Sequence, residues 1–286
     1  MNPDEFCTSD QWSMLSSAAS NSQLAGVLGA FLITAIALLF DRSSREGVHT
    51  LALFSSAVLV LMLSSFLFSW ITGSQVPDAQ RRGICAIAWT QGAVSIGMLA
   101  AGTTALFGGL GWMLASHAAN KVSDLDPDDV RAYCFLADLG GWLTFAAAMA
   151  TTLILSETSI DYLHFMLDRR PDWWLVALIA VSSALITFVN FVLVYRRTKA
   201  LRKSLTDTNE PTVLALRSIK VATVGTVVLA IVASGVAVSL NRLPKDWLTG
   251  PNIALVIGVL ALTFVVPTVV AISICYSVAS TDDRRG

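Results

Sequence analysis

The chain has 286 residues, of which 55% are hydrophobic and only 14% charged, and its net charge is −1. A water-soluble domain carries about a quarter charged residues, so an ordinary globular core is excluded. The near-neutral balance leaves no electrostatic footprint for a nucleic-acid partner.

Seven apolar runs follow one another, none containing Lys or Arg: Leu24–Phe40, Leu51–Thr72, Ile84–Ala115, Ala132–Leu155, Trp174–Tyr195, Val221–Leu240 and Ile253–Ala279. Each is near or above the length of about 20 residues that crosses the hydrocarbon layer as a helix. The apolar residues are continuous rather than alternating, which points to helices and not to barrel strands. The expected fold is an all-α integral membrane protein, one polytopic bundle of seven transmembrane helices. Its spans are expected near residues 22–40, 49–72, 84–115, 131–155, 174–195, 218–240 and 252–279.

Lys and Arg in short loops stay cytoplasmic. With the loops alternating in side, thirteen of the 19 basic residues fall on one side and six on the other. The N-terminus is therefore expected outside, the C-terminus in the cytoplasm, and the membrane is expected to be a plasma membrane. Trp12, Trp70, Trp89, Trp173, Trp174 and Trp247 then gather at the outer ends, where indole rings settle at headgroup depth.

In chain order, the first 20 residues carry Asp4, Glu5 and Asp10 and no basic residue, unlike a cleaved signal peptide, so the first run is expected to be a permanent span. Ser9 and Asp10 resemble a helix cap ahead of Gln11 and Trp12. Cys7 and Cys85 both land outside, where a disulfide persists, and are expected to pair; Cys134 and Cys275 land at inner helix ends. The third run exceeds one span and must tilt or project. It carries Gly97, Ala101, Ala105 and Gly109 at spacing four, one helix face of small residues suited to close helix packing. Comparable stripes are Ala137, Gly141, Thr144 and Ala148, and Ala222, Thr226, Ala230 and Ala233. Packing within one bundle is expected of them, with a protein partner or a homo-oligomer as the alternative.

Asp126, Pro127, Asp128 and Asp129 read as a helix start. Their spacing with Asp124 falls short of a calcium loop, because position 6 is Asp129 and position 12 is Phe135. Ser159–Leu167 is expected as a short interfacial helix or a loop outside. Arg196, Arg197, Lys199, Arg202 and Lys203 form the strongest basic run, expected to extend the fifth helix into a cytoplasmic segment near 196–216, attractive to anionic lipid or a docking partner. Thr208 to Pro211 then breaks the chain before the sixth span.

Asp138 is the acid that falls inside an apolar run. A charge within the membrane is costly and marks a candidate functional site. Depth alone allows it to pair with Asn190 and to cluster with His49, His117, Ser273 and Tyr276 near the inner leaflet. Pro267 breaks the seventh span and frees the carbonyl of Thr263, which lines an ion path if a cavity adjoins it. The three histidines are scattered and read as interfacial rather than as haem or zinc ligands, and the seventh span has no Lys for retinal. No metal and no cofactor are expected, and the bilayer itself is the expected partner. The leading expectation is a non-catalytic membrane-complex subunit, regulator or sensor. The alternatives are a small-solute or ion transporter using Asp138 and, third, an intramembrane enzyme.

Overall fold

The computed structural model describes residues 7–9, 12–39, 45–76, 81–121, 127–168, 170–206, 216–242 and 252–277. A two-stranded antiparallel hairpin, β1 (Thr8–Ser9) and β2 (Trp12–Ser13), opens the described chain. Seven helices follow: α1 (Met14–Leu39), α2 (Arg45–Thr72), α3 (Arg81–Lys121), α4 (Pro127–Leu167), α5 (Trp173–Thr206), α6 (Leu216–Ser239) and α7 (Ile253–Ser277). All seven are long and apolar enough to cross a membrane. The chain is an all-α, multi-pass integral membrane bundle.

The helix α3 is the axis. Of its most apolar stretch 83% is buried, against 11% for α5. Lipid is as apolar as leucine, so helices in a bilayer associate through close packing and not through a hydrophobic drive. Glycine permits that approach on every side of α3. Gly102 and Gly109 face Val60, Leu61 and Phe54 of α2, Gly92 faces Met14 of α1, and Gly108 faces Ile274 of α7. Gly111 meets the backbone of Gly140 in α4. Helices α1 to α5 pack largely in sequence, α6 returns against α2, and α7 fills the space among α3, α4, α5 and α6. The helix α5 touches chiefly α4 and α7, so much of its surface is free.

The stripes of small residues are covered by the chain's own helices. Ala101, Ala105, Ala137, Ala148, Ala222, Thr226, Ala230 and Ala233 are all buried, and Gly97 abuts the backbone of Leu262 and Thr263 in α7.

Two local expectations change. Ser9 and Asp10 do not start α1. Ser9 belongs to β1, Asp10 lies outside the described residues, and the helix begins at Met14, with the Ser13 hydroxyl accepting from the Ser16 amide at 3.5 Å. Ser159–Leu167 is neither loop nor separate helix, because α4 runs unbroken to Leu167. No Gly or Pro interrupts that stretch, and Tyr162, Leu163, Phe165 and Met166 are buried rather than lying flat on the interface. Asp168, at φ 54°, then ends α4 in the left-handed conformation of a helix cap. The basic run extends the fifth helix as expected, since α5 continues past Tyr195 to Thr206. The side chain of Lys203 and residues 207–215 lie outside the described residues, as do Asp124, Asp126 and Trp247.

Candidate functional site

The two ends of the bundle are built differently. At the end that carries the hairpin, Cys7 and Cys85 form a disulfide with Cα atoms 5.2 Å apart. Trp89, one turn further along α3, is fully buried and donates Nε1–H to the Cys7 carbonyl at 2.9 Å. Its ring stacks on Phe165 of α4 and meets Trp12 of β2 edge-on, each with centroids 5.5 Å apart. Ser9 bridges to α4, donating to the Asp161 carbonyl at 3.3 Å and lying 3.2 Å from His164 Nδ1. Trp89 and Trp12 are thus parts of a packed lid. Trp70, Trp173 and Trp174 are the exposed indoles of this end.

Loss of the disulfide has a bounded effect. A bridge spanning 78 residues would be worth about 4.5 kcal/mol against a random-coil reference. Here the intervening α1 and α2 stay inserted as helices when the bundle loosens, so less entropy is removed. Cys7→Ser is expected to cost about 2 kcal/mol. Thermal unfolding in detergent with and without dithiothreitol checks this: reductant should destabilise the wild type and leave the variant unmoved.

Arg82 fastens the same end. Its Nη1 donates to Asp168 Oδ1 at 3.0 Å and its Nη2 to the Phe165 carbonyl at 2.9 Å, with the guanidinium 4.9 Å from the Phe165 ring centre. The ion pair is exposed, 38% and 82% on its two sides, and such pairs are worth about 0–1 kcal/mol. The carbonyl bond and the ring contact carry more, because the last carbonyls of a helix have no intrahelical donor. Arg82→Ala is expected to cost about 1–2 kcal/mol and Asp168→Asn less than about 0.5 kcal/mol. Equal losses in unfolding measurements would assign the effect to the ion pair instead.

The opposite end holds Asp138 and the basic residues of α5. Asp138 on α4 and Tyr195, Thr198, Lys199 and Arg202 on α5 line a cleft of about 400 Å³, with Trp142 at its edge. The charge of Arg202 acts directly on Asp138. The cleft lies between α4 and α5. Successive turns of α4 place Asp138 and Trp142 on one face, and α5 presents Tyr195, Lys199 and Arg202 in the same way.

The expected cluster is divided. Asn190 is fully buried on α5, and neither of its side-chain polar atoms has a hydrogen-bond partner, so it does not pair with Asp138. Tyr276 lies under the guanidinium of Arg197, 4.3 Å from its ring centre. His117 is exposed and its ring centre is 5.9 Å from that of Tyr133. Ser273 donates to the Val269 carbonyl of its own helix at 2.9 Å, and His49 is half-buried near the start of α2. None of these five lines the cleft. Arg196 is exposed on α5. Among the described residues no group of three or more His, Cys, Asp and Glu side chains gathers.

Pro267 lies in a broken α7. The helix is α-helical over Ile253–Leu260, π-helical over Ala261–Val265 and α-helical again from Val266. The wide turn lets the Val266 amide bond to Ala261 O and absorbs the proline, which cannot serve the Thr263 carbonyl. That carbonyl packs against Gly97, 3.1 Å from where a Cβ would stand. It stands beside the α3 backbone.

Sequence reasoning missed Trp142, Tyr195, Arg82 and Trp89. Aromatic rings such as Trp142 and Tyr195 mark membrane interfaces, and that signal is present in the sequence. Arg82 and Trp89 act only through α4, which no local pattern announces. Comparison with family models, curated proteins and solved structures yields no match.

Proposed function

We propose that the chain works as a non-catalytic subunit, regulator or sensor of a membrane complex, standing in the plasma membrane with the N-terminus outside and the C-terminus in the cytoplasm. One observation carries the functional reading. Asp138, Lys199 and Arg202 line a cleft between α4 and α5 at one end of the bundle, while the core around α3 is packed with apolar side chains and several of its hydroxyls bond to their own backbone. Thr90, Ser95 and Thr104 each donate to the carbonyl four residues earlier, at 2.7–2.9 Å. A partner has room on α5, which exposes Leu178, Val181, Leu185 and Phe188. The orientation rests on the basic end of α5 and on the disulfide at the other end, since disulfides persist on the oxidising side.

Asp138 fits this reading better than a mid-membrane acid would. Trp142 and Tyr195 place the cleft at headgroup depth, where a carboxylate costs little. Asp138→Leu is therefore expected to leave the fold, and the permeability of reconstituted proteoliposomes to protons and small cations, as in the wild type.

The second reading is transport. It is favoured by the buried amide of Asn190 and the buried hydroxyl of Thr263, neither with a partner. A wild-type cation or proton flux abolished by Asp138→Leu in a correctly folded protein would move the assignment there.

A further inference from the structure

The cleft at Asp138 is the polar end of a longer feature. Directly along α4 and α5 toward the membrane centre lies a second hollow of about 570 Å³. It is lined by Phe145, Met149, Leu153, Ala184, Phe188 and Phe191 among others, almost wholly apolar. The two hollows meet at a group of rings. Trp142 contacts Phe145 and Phe191, with centroids 5.9 and 5.8 Å apart, and Phe191 stacks on Tyr195 at 6.1 Å. From Phe145 to Ser156 the trough runs about 17 Å along the helix. One leaflet of hydrocarbon is about 15 Å deep. The trough is therefore about as long as one leaflet is deep, and one end of it adjoins the charged residues.

We propose that this α4–α5 groove holds one anionic phospholipid of the leaflet next to the basic end, a phosphatidylglycerol-type lipid. Lys199 and Arg202 supply two positive charges and Asp138 one negative charge, so the polar end has a net charge of +1, the complement of a singly charged phosphodiester. The two cations take the phosphate, and the Asp138 carboxylate accepts from a headgroup hydroxyl. A choline headgroup has no hydroxyl to donate and no net charge to match. The acyl chain lies in the trough against Phe145, Leu153 and Phe188. Water-soluble phosphates are poorer occupants, because the larger of the two hollows offers them mainly apolar side chains and no cation. The site stands on the groove alone and not on the functional reading above.

Native mass spectrometry of the intact protein in detergent, titrated with phosphatidylglycerol and with phosphatidylcholine of the same acyl chains, tests it. One phosphatidylglycerol should be retained per protomer, in preference to phosphatidylcholine. Lys199→Gln and Arg202→Gln should each weaken it about fivefold, the worth of one basic residue near a membrane surface. Lys220→Gln, which removes the same charge from α6 at the same end, should leave it unchanged. Ala184→Trp, an exposed substitution that fills the trough, should weaken phosphatidylglycerol binding without changing the thermal midpoint. Equal retention of both lipids, or wild-type binding by Lys199→Gln and Arg202→Gln, would overturn the proposal. So would competition by glycerol phosphate at the same concentration as the lipid, which would mean a free-phosphate site, or a second protomer covering the groove.

Discussion

Replacing Trp89 with alanine is expected to destabilise the protein by about 4 kcal/mol, the usual range for removing a buried large aromatic. The indole is fully buried and joins three elements. It stacks on Phe165 of α4, meets Trp12 of the hairpin and donates to the Cys7 carbonyl. Alanine leaves a cavity beneath the hairpin and an unserved carbonyl at once. Trp89→Phe separates these effects, because it keeps most of the stacking and loses only the hydrogen bond, for about 1 kcal/mol. Unfolding of the three proteins in one detergent, with the rate of disulfide reduction as a second readout, distinguishes them. The alanine variant should be both least stable and fastest reduced. An alanine variant within about 1 kcal/mol of wild type would show that the hairpin lies on the bundle without holding it.

The second large effect belongs to the α3–α4 crossing. A Cβ on Gly111 would stand 2.5 Å from the Gly140 carbonyl oxygen and 2.6 Å from the Thr144 hydroxyl. From the other side, a Cβ on Gly140 would stand 2.8 Å from the Gly111 carbonyl oxygen. Backbone cannot turn aside as a side chain can, so the two helices must separate along a contact that most of the bundle leans on. Gly111→Val is expected to cost about 3 kcal/mol. Gly235 supplies the contrast, since nothing lies within 4 Å of its would-be Cβ. There the gain in helix propensity prevails, and Gly235→Ala should stabilise by about 0.5–1 kcal/mol. Opposite signs for the two glycines, measured by thermal unfolding, are the prediction. Equal effects would mean that crowding at the crossing does not hold α3 to α4.

Much of this architecture is legible in the sequence, because a bilayer imposes its thickness on any helix that crosses it. Run length and the absence of charge suffice to find seven spans, and alternation of the loops brings Cys7 and Cys85 to one side. Azimuth is harder. The stripe from Gly97 to Gly109 is visible as spacing four, but α3 is surrounded, so its glycines meet different helices: Gly97 and Gly108 meet α7, Gly102 and Gly109 meet α2, Gly92 meets α1 and Gly111 meets α4. Asp138 illustrates the same gap. Its depth along the chain is readable, yet the direction it faces depends on α5 continuing past Tyr195, with Lys199 and Arg202 brought alongside. The hairpin escapes because Ser9 and Ser13 both suit a helix start, and only the docking of Cys7 on Trp89 favours the strand. Ser159–Leu167 reads as separate because its charges interrupt the apolar run, although its buried side chains follow α4 up to the lid.

The proposal that the chain is a non-catalytic component of a membrane complex is tested most directly by native mass spectrometry of the protein released gently from its own membrane. The expected spectrum shows the protomer with a stoichiometric protein partner, which Leu178→Arg and Val181→Arg on the exposed face of α5 weaken. A lone protomer or homo-oligomer that retains a water-soluble solute, and loses it in Asp138→Leu, would contradict the proposal and assign the protein to transport.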